Sequence, residues 1–264
     1  MQATERYTPG YSDLAVQYMR RRHAERDAAF VLPNLHSGMR LLDCGCGPGT
    51  ITRGLARTLS PGTVVGIDCD HRQVHLTQRS IVDEPTSNLW VSTASLYALP
   101  FANRTFDAVF SHALFEHLAD PLKGLREIYR VLRPGGIAAI SSPDWNGTLV
   151  APPDASVHEI IKQFTRMQQD NHGDPFAGSR LGEWLDAAGF AGIRLSARYD
   201  CYEDPSLIIR LMGERLKSRH RDAGNGQSSD GNLARLLTEA EQWSTRPGVL
   251  FGQAFVEAIA SVPS

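Results

Sequence analysis

The sequence predicts an α/β fold, a mostly parallel sheet with helices on both faces, and two observations carry that expectation. Short runs rich in Val, Ile, Leu and Ala recur along the 264 residues, and the stretches between them have helical spacing. Neither an internal repeat nor a linker between independent units interrupts the alternation, so a single domain with insertions is expected over residues 1–264.

The elements follow in chain order. A helical leader occupies residues 1–38, with a helix capped at Ser12. Strands are expected at 39–44, 63–68, 89–93, 106–111, 137–142 and 192–199, with a seventh at 250–260. Ahead of the fifth strand, Asp120 caps a helix that has Pro121 at its first position. Leu122, Leu125, Ile128 and Leu132 form its apolar stripe, and Pro134-Gly135-Gly136 stops it. Residues 144–180 and 205–246 stand outside the repeating unit and are read as helical insertions beside a core at 39–143. A polar stretch within the second, RHRDAGNGQSSDG at 219–231, is expected to be mobile.

Composition narrows the partners. With 27 basic against 29 acidic residues the chain carries no global field for nucleic acid or anionic lipid, and no aromatic-basic stripe follows a bound strand. No apolar run approaches the roughly 20 residues needed to span a bilayer, and MQATERYTPGYSDL is not a secretory signal. A cytoplasmic protein acting on a small molecule, as a monomer or homodimer, is therefore expected. Cys44 and Cys46 have no second pair to complete a zinc site, and His71, His75 and His172 follow no ligand spacing, so no metal is expected. Arg194 and Arg198, like Arg215 and Arg219, could receive an anionic substrate, but such charges are more often solvated surface and are read so here.

The chemistry concentrates at LLDCGCGPGT, residues 41–50, where the first strand ends. Gly45, Gly47 and Gly49 let the chain turn sharply and bring backbone amides near a ligand, with the Asp43 carboxylate beside them. Asp68 ends the next strand at the spacing that suits ribose hydroxyls, which points to a nucleotide. A dinucleotide is disfavoured because Thr50 stands where the third glycine of G-x-G-x-x-G belongs. The phosphate-loop lysine is absent as well.

The glycine turn, Asp68, ALPF at 98–101, FDAVFSHALFEHLADP at 106–121 and EIYRVLRPGGIAAIS at 127–141 occur in an order that resembles the class I S-adenosylmethionine-dependent methyltransferases. The branch most similar is that of the ubiquinone and menaquinone C-methyltransferases. The resemblance implies a Rossmann-like seven-stranded fold with a helical lid and S-adenosylmethionine as cofactor. It implies that Gly45 and Gly47 hold the methionine part, Asp68 the ribose, and Cys69 one face of the adenine. Ser95 and Leu96 would edge the adenine, while Ser111 and His112 close the site. Many relatives have aspartate at the position of Ser95, whose hydroxyl accepts the same hydrogen bond without charge. Tyr7 and Tyr11 resemble the branch's lid aromatics; a staple between leader and domain is the other role open to them.

Methyl transfer is a displacement, so alignment supplies much of the rate and a base is needed only where the acceptor loses a proton. His112, Glu116 and His117 lie just after the fourth strand, at the end of the sheet where ligands bind in this fold; the resemblance makes His117 the favoured base, with Asp144 second. A support role for His117 and a turn role for Asp144 are the alternatives. A nicotinamide-dependent oxidoreductase and a non-catalytic cofactor-binding partner protein are the competing functions. The apolar Trp145, Phe164, Met167 and Phe176 suggest a partly hydrophobic acceptor pocket.

Overall fold

A computed structural model describes residues 6–222 and 227–264. Its strands are β1 Arg40–Cys44, β2 Thr63–Asp68, β3 Leu89–Thr93, β4 Phe106–His112, β5 Leu132–Ala151, β6 Ala191–Cys201 and β7 Leu250–Ser261. They form one sheet in the order β3-β2-β1-β4-β5-β7-β6. Helices α1 Asp13–Arg20 and α2 Ala24–Asp27 make up the leader, followed by α3 Thr50–Leu59, α4 His71–Asp83 and α5 Pro121–Val131. Then come α6 Ala155–Asp170, α7 Ala177–Ala187, α8 Pro205–Asp222 and α9 Gln227–Ser244.

Strands β1 to β5 pair in parallel, whereas β7 runs antiparallel to both β5 and β6. The sheet is thus mixed: β7, between β5 and the edge strand β6, is the strand that departs from the mostly parallel expectation. The reason lies in the connection: α8 and α9 pack on each other and return the chain at the end where β6 left it, so β7 enters in the opposite direction.

Period-two alternation sends Leu41, Ala108 and Phe110 to one face, under Leu55 and Leu59 of α3. Leu42 and Val109 go to the other, under Leu125 and Ile128 of α5 and Leu181 of α7. Each fully buried aliphatic side chain here contributes roughly 1.5–3 kcal/mol. Capping sets the helix starts: the Ser12 side chain accepts from Ala15 N–H, and that of Asp120 from Lys123 N–H behind Pro121. Helix α5 closes at Val131, earlier than its apolar stripe implies. Leu132 already pairs with Phe106, and Pro134-Gly135-Gly136 is absorbed in β5 beside a register shift rather than terminating a helix.

The two insertions and the leader share a third core. Met19 of α1, Phe164 and Met167 of α6, Ile208 of α8 and Trp243 of α9 pack together with Trp145. Of the stretch expected to be mobile, Arg219–Asp222 closes α8 and residues 227–231 open α9, while 223–226 lie outside the described residues. Among the described residues no helix is long and apolar enough to cross a membrane. No group of three or more His, Cys, Asp or Glu is placed there to hold a metal ion.

Candidate active site

From β1 the chain builds outward through β2 to β3, then returns to β4 on the other side of β1. Connections diverge at such a reversal and leave a crevice beyond the carboxyl ends of the strands. A cleft of about 1160 Å³, its open mouth included, lies there.

Gly45 and Gly47 enter left-handed conformations at φ 78° and 53°, which glycine does without steric cost. Their amides are engaged inside the turn: Gly45 and Cys46 N–H donate to Ile67 O at 2.8 and 2.9 Å, and Gly47 N–H to Asp68 Oδ2 at 3.0 Å. This corrects the expectation that these amides face a ligand. The bare turn instead offers close approach of the main chain, while its N–H groups join the ends of β1 and β2.

Asp68 receives Gly47 N–H on one oxygen and Asp70 N–H, at 2.9 Å, on the other. Each oxygen keeps a second acceptor position for a hydroxyl. Burial raises its pKa even though both amides favour the ionised form. Asp43 lies deeper; Thr52 Oγ1 donates to it at 2.7 Å, and burial pushes it up to about 7.

Tyr7, Tyr11, Asp43, Gly45, Gly47 and Asp68 all line the cleft, as do Cys69, Ser95, Leu96, His112 and His117. Two expected residues do not. Ser111 is fully buried behind it, its Oγ donating to Cys44 O at 3.0 Å and fastening β4 to β1. The Asp144 carboxylate accepts from Asn146 N–H and Ser179 N–H, both at 3.0 Å, and stands outside the lining of the cleft.

The leader roofs the cleft. The Tyr7 ring meets Tyr11 at 5.2 Å and the edge of His117 at 4.6 Å, and Arg72 stacks on Tyr11 at 4.3 Å. Ion pairs to buried carboxylates hold it down: Arg198 bridges Asp27 and Glu257, while Arg21 and Arg26 both reach Asp200 at 3.3 Å. Arg198 is therefore a structural cation, and Arg215 donates from Nε to Thr8 O at 2.8 Å; neither is simply solvated surface. His112 stacks on Phe255, and its Nε2 lies 3.2 Å from Arg198 Nη2. Burial and the Arg22 charge hold its pKa well below the usual range, so it is neutral and accepts at Nε2.

A second cavity of about 380 Å³ adjoins the first, sharing Tyr7, Arg22 and His117 as a common wall. Trp145, Phe164, Ile208 and Leu211 give it apolar sides, and Glu116 and Gln168 give it polar ones. Met167 and Phe176, grouped with Trp145 and Phe164 by the sequence, belong to the surrounding core rather than to this lining. Sequence reasoning missed Arg22, Gln73 and Gln168. Gln73 sits on the buried side of α4 and lines the cleft with a buried Oε1 that, among the described residues, accepts from no donor. Its place in the turn after the Asp70 cap is the one signal available.

The lining fits a nucleoside. Asp68 is an acceptor for vicinal hydroxyls, Leu96 and Cys69 offer soft surface for a base, and the orphaned Gln73 oxygen awaits an N–H or O–H.

Residues 42–140 match the family described as a methyltransferase domain. The chain is similar to an uncharacterized methyltransferase of Schizosaccharomyces pombe, at 29% identity over 248 residues, covering 88% of each chain. It is 36% identical over 104 residues to a demethylmenaquinone methyltransferase of Lactiplantibacillus plantarum, covering 39% of this chain and 44% of that one. Its fold resembles that of Haemonchus contortus phosphoethanolamine N-methyltransferase 2, solved with phosphomonomethylethanolamine and S-adenosylhomocysteine. There the TM-score is 0.59 at 19% identity, covering 91% of this chain and 53% of the other.

Proposed function

Since the chain belongs to the class I S-adenosylmethionine-dependent methyltransferases, we propose that it methylates a small, partly hydrophobic molecule seated in the second cavity. The observation that carries this reading is the common wall: an acceptor lying against the packed Trp145 and Phe164 rings would reach the cofactor cleft past Tyr7, Arg22 and His117.

When bound, S-adenosylmethionine supplies a methyl group on a sulfonium. Asp68 would accept from the ribose hydroxyls, Ser95 and Leu96 edge the adenine, and Cys69 pack on its face. Gly45 and Gly47 let the main chain approach the methionine part, and Tyr7, Tyr11 and His112 close the cleft. In this arrangement residues 1–38 act as the lid, 39–143 hold the cofactor, and 144–180 with 205–246 wall the acceptor. Excluding water and aligning the two reactants supplies most of the acceleration in such a displacement. His117, pushed down to about 3 by burial and the Arg22 charge, stays neutral and orients the acceptor. Asp144 keeps the wall in place through its two amides, and Ser111 keeps β4 in register. We place the protein in the cytoplasm as a monomer or homodimer.

The test is transfer of label from methyl-labelled S-adenosylmethionine into a panel of aromatic and enolic small molecules, with nucleic acid and a protein extract in parallel. Label in a small molecule is expected. Label confined to nucleic acid or protein contradicts the reading.

A further inference from the structure

Glu116 and Arg22 both face the second cavity. Glu116 is 3% exposed; Ser142 Oγ donates to its Oε2 at 2.7 Å, and its Oε1 lies 3.5 Å from His117 Nε2. The carboxyl is thus fixed at one oxygen and directed by the other toward the wall between the cavities. Arg22 lies beside the Tyr18 ring at 5.2 Å and, among the described residues, forms no ion pair. The other carboxylates nearby are engaged, Asp27 by Arg26 and Arg198 and Asp68 by two backbone amides. A guanidinium facing a cavity without a carboxylate partner is a seat for an anionic oxygen.

We propose that Glu116 takes the proton from an acceptor hydroxyl on an sp2 carbon, an enol or a phenol, and that Arg22 holds the oxygen anion so formed. This rests on the second cavity being the acceptor site. The acceptor O–H bond breaks with its electron pair left on oxygen, and the proton joins Glu116 Oε1. The anion then forms a bond to the methyl carbon of S-adenosylmethionine, and the pair of the broken C–S bond returns to sulfur, which becomes uncharged. Where attack comes from the conjugated carbon, that carbon's own proton leaves to water and Glu116 returns its proton to oxygen. After attack through oxygen, Glu116 passes its proton to water as product departs.

His117 is the less suitable base, because a buried imidazole pushed down to about 3 has little affinity for a proton. Burial pushes Glu116 the other way, up to about 7, where a carboxylate accepts and releases a proton near neutral pH. Trp145 and Phe164 on the same cavity suit the planar, apolar body of an enol or phenol.

The probe is 3-nitrophenol, mostly un-ionised and colourless when free at neutral pH and yellow as its anion, added to protein saturated with S-adenosylhomocysteine. The wild type is expected to bind the probe as the yellow anion. Glu116→Gln, whose amide oxygen still accepts from Ser142, should lower the bound-anion absorbance at least tenfold. Arg22→Met should do the same, and Arg22→Lys should restore part of it. Calorimetric titration with S-adenosylhomocysteine accompanies every variant. A colourless wild-type sample that still binds S-adenosylhomocysteine overturns the Glu116–Arg22 pair alone, as does a yellow Glu116→Gln. Loss of S-adenosylhomocysteine binding in Arg22→Met alone assigns Arg22 to the cofactor's carboxylate and overturns its part. A wild type that fails to bind S-adenosylhomocysteine sinks the underlying reading.

Discussion

Arg198 Nη2 sits 2.8 Å from Asp27 Oδ1, and through that pair an edge strand holds the leader over the cleft. Asp27 is 1% exposed and also receives Arg26. Although burial opposes it, the hydrogen bonds from Arg26 and the His23 amide keep its pKa below the ordinary carboxylate value. Asp27→Ala leaves Arg198 with Glu257 and Arg26 with Asp200, so the loss is that of charge-assisted hydrogen bonds to Asp27, each worth about 1.5–3 kcal/mol. Asp27→Ala should therefore lower the unfolding free energy by about 3 kcal/mol in urea titrations. It should also weaken S-adenosylhomocysteine binding, because Tyr7 and Tyr11 lose their support; an unchanged midpoint would show that the pair does not secure the leader.

Gly49 opens α3 at φ 77°, and a Cβ there would collide with Thr77 Cγ2. Gly49→Ala combines left-handed strain with that clash, so a loss of about 2 kcal/mol or more is expected in thermal unfolding. Thr77→Ser in the same chain should recover part of the loss, since it removes the methyl and keeps the hydroxyl that donates to Gly47 O. No recovery would locate the cost in the backbone alone.

How much of this was legible in the sequence follows from how local each signal is. Asp68, the glycine turn and the Asp120 cap lie within a few residues of the elements they serve, and spacing reveals them. The direction of β7 was not legible, because it depends on where the α8 and α9 pair returns the chain. Arg198 read as surface because its partners Asp27 and Glu257 lie 171 and 59 residues away. The engaged amides of the glycine turn depend on the Ile67 carbonyl of a neighbouring strand, which no spacing rule contains. Arg22 and Gln168 became site residues only when the leader and α6 met over the same cavity.

Glu116 makes stability depend on pH in a way its glutamine variant should abolish. Burial raises its folded pKa to about 7, above the ordinary glutamate value of 4.5, so the unfolded chain ionises first as pH rises. Stability from the protonated form is complete below about 4.5 and is lost as pH rises through about 7, roughly 1.4 kcal/mol per unit. Asp43, raised likewise, is present in both proteins and cancels. The unfolding free energy of Glu116→Gln relative to wild type should thus rise by roughly 2–3 kcal/mol between pH 5 and pH 8. A difference that stays flat across that range would mean that the carboxyl is not buried from water.

Binding of the cofactor to the cleft is tested most directly by calorimetric titration with S-adenosylhomocysteine, using NADH and Asp68→Ala as controls. Asp68 would contribute charge-assisted hydrogen bonds to two ribose hydroxyls, each worth about 1.5–3 kcal/mol. The prediction is saturable binding of S-adenosylhomocysteine and none of NADH, with affinity falling about 100-fold or more in a folded Asp68→Ala. Binding of NADH alone, or binding of S-adenosylhomocysteine that Asp68→Ala leaves intact, would contradict the assignment of this cleft.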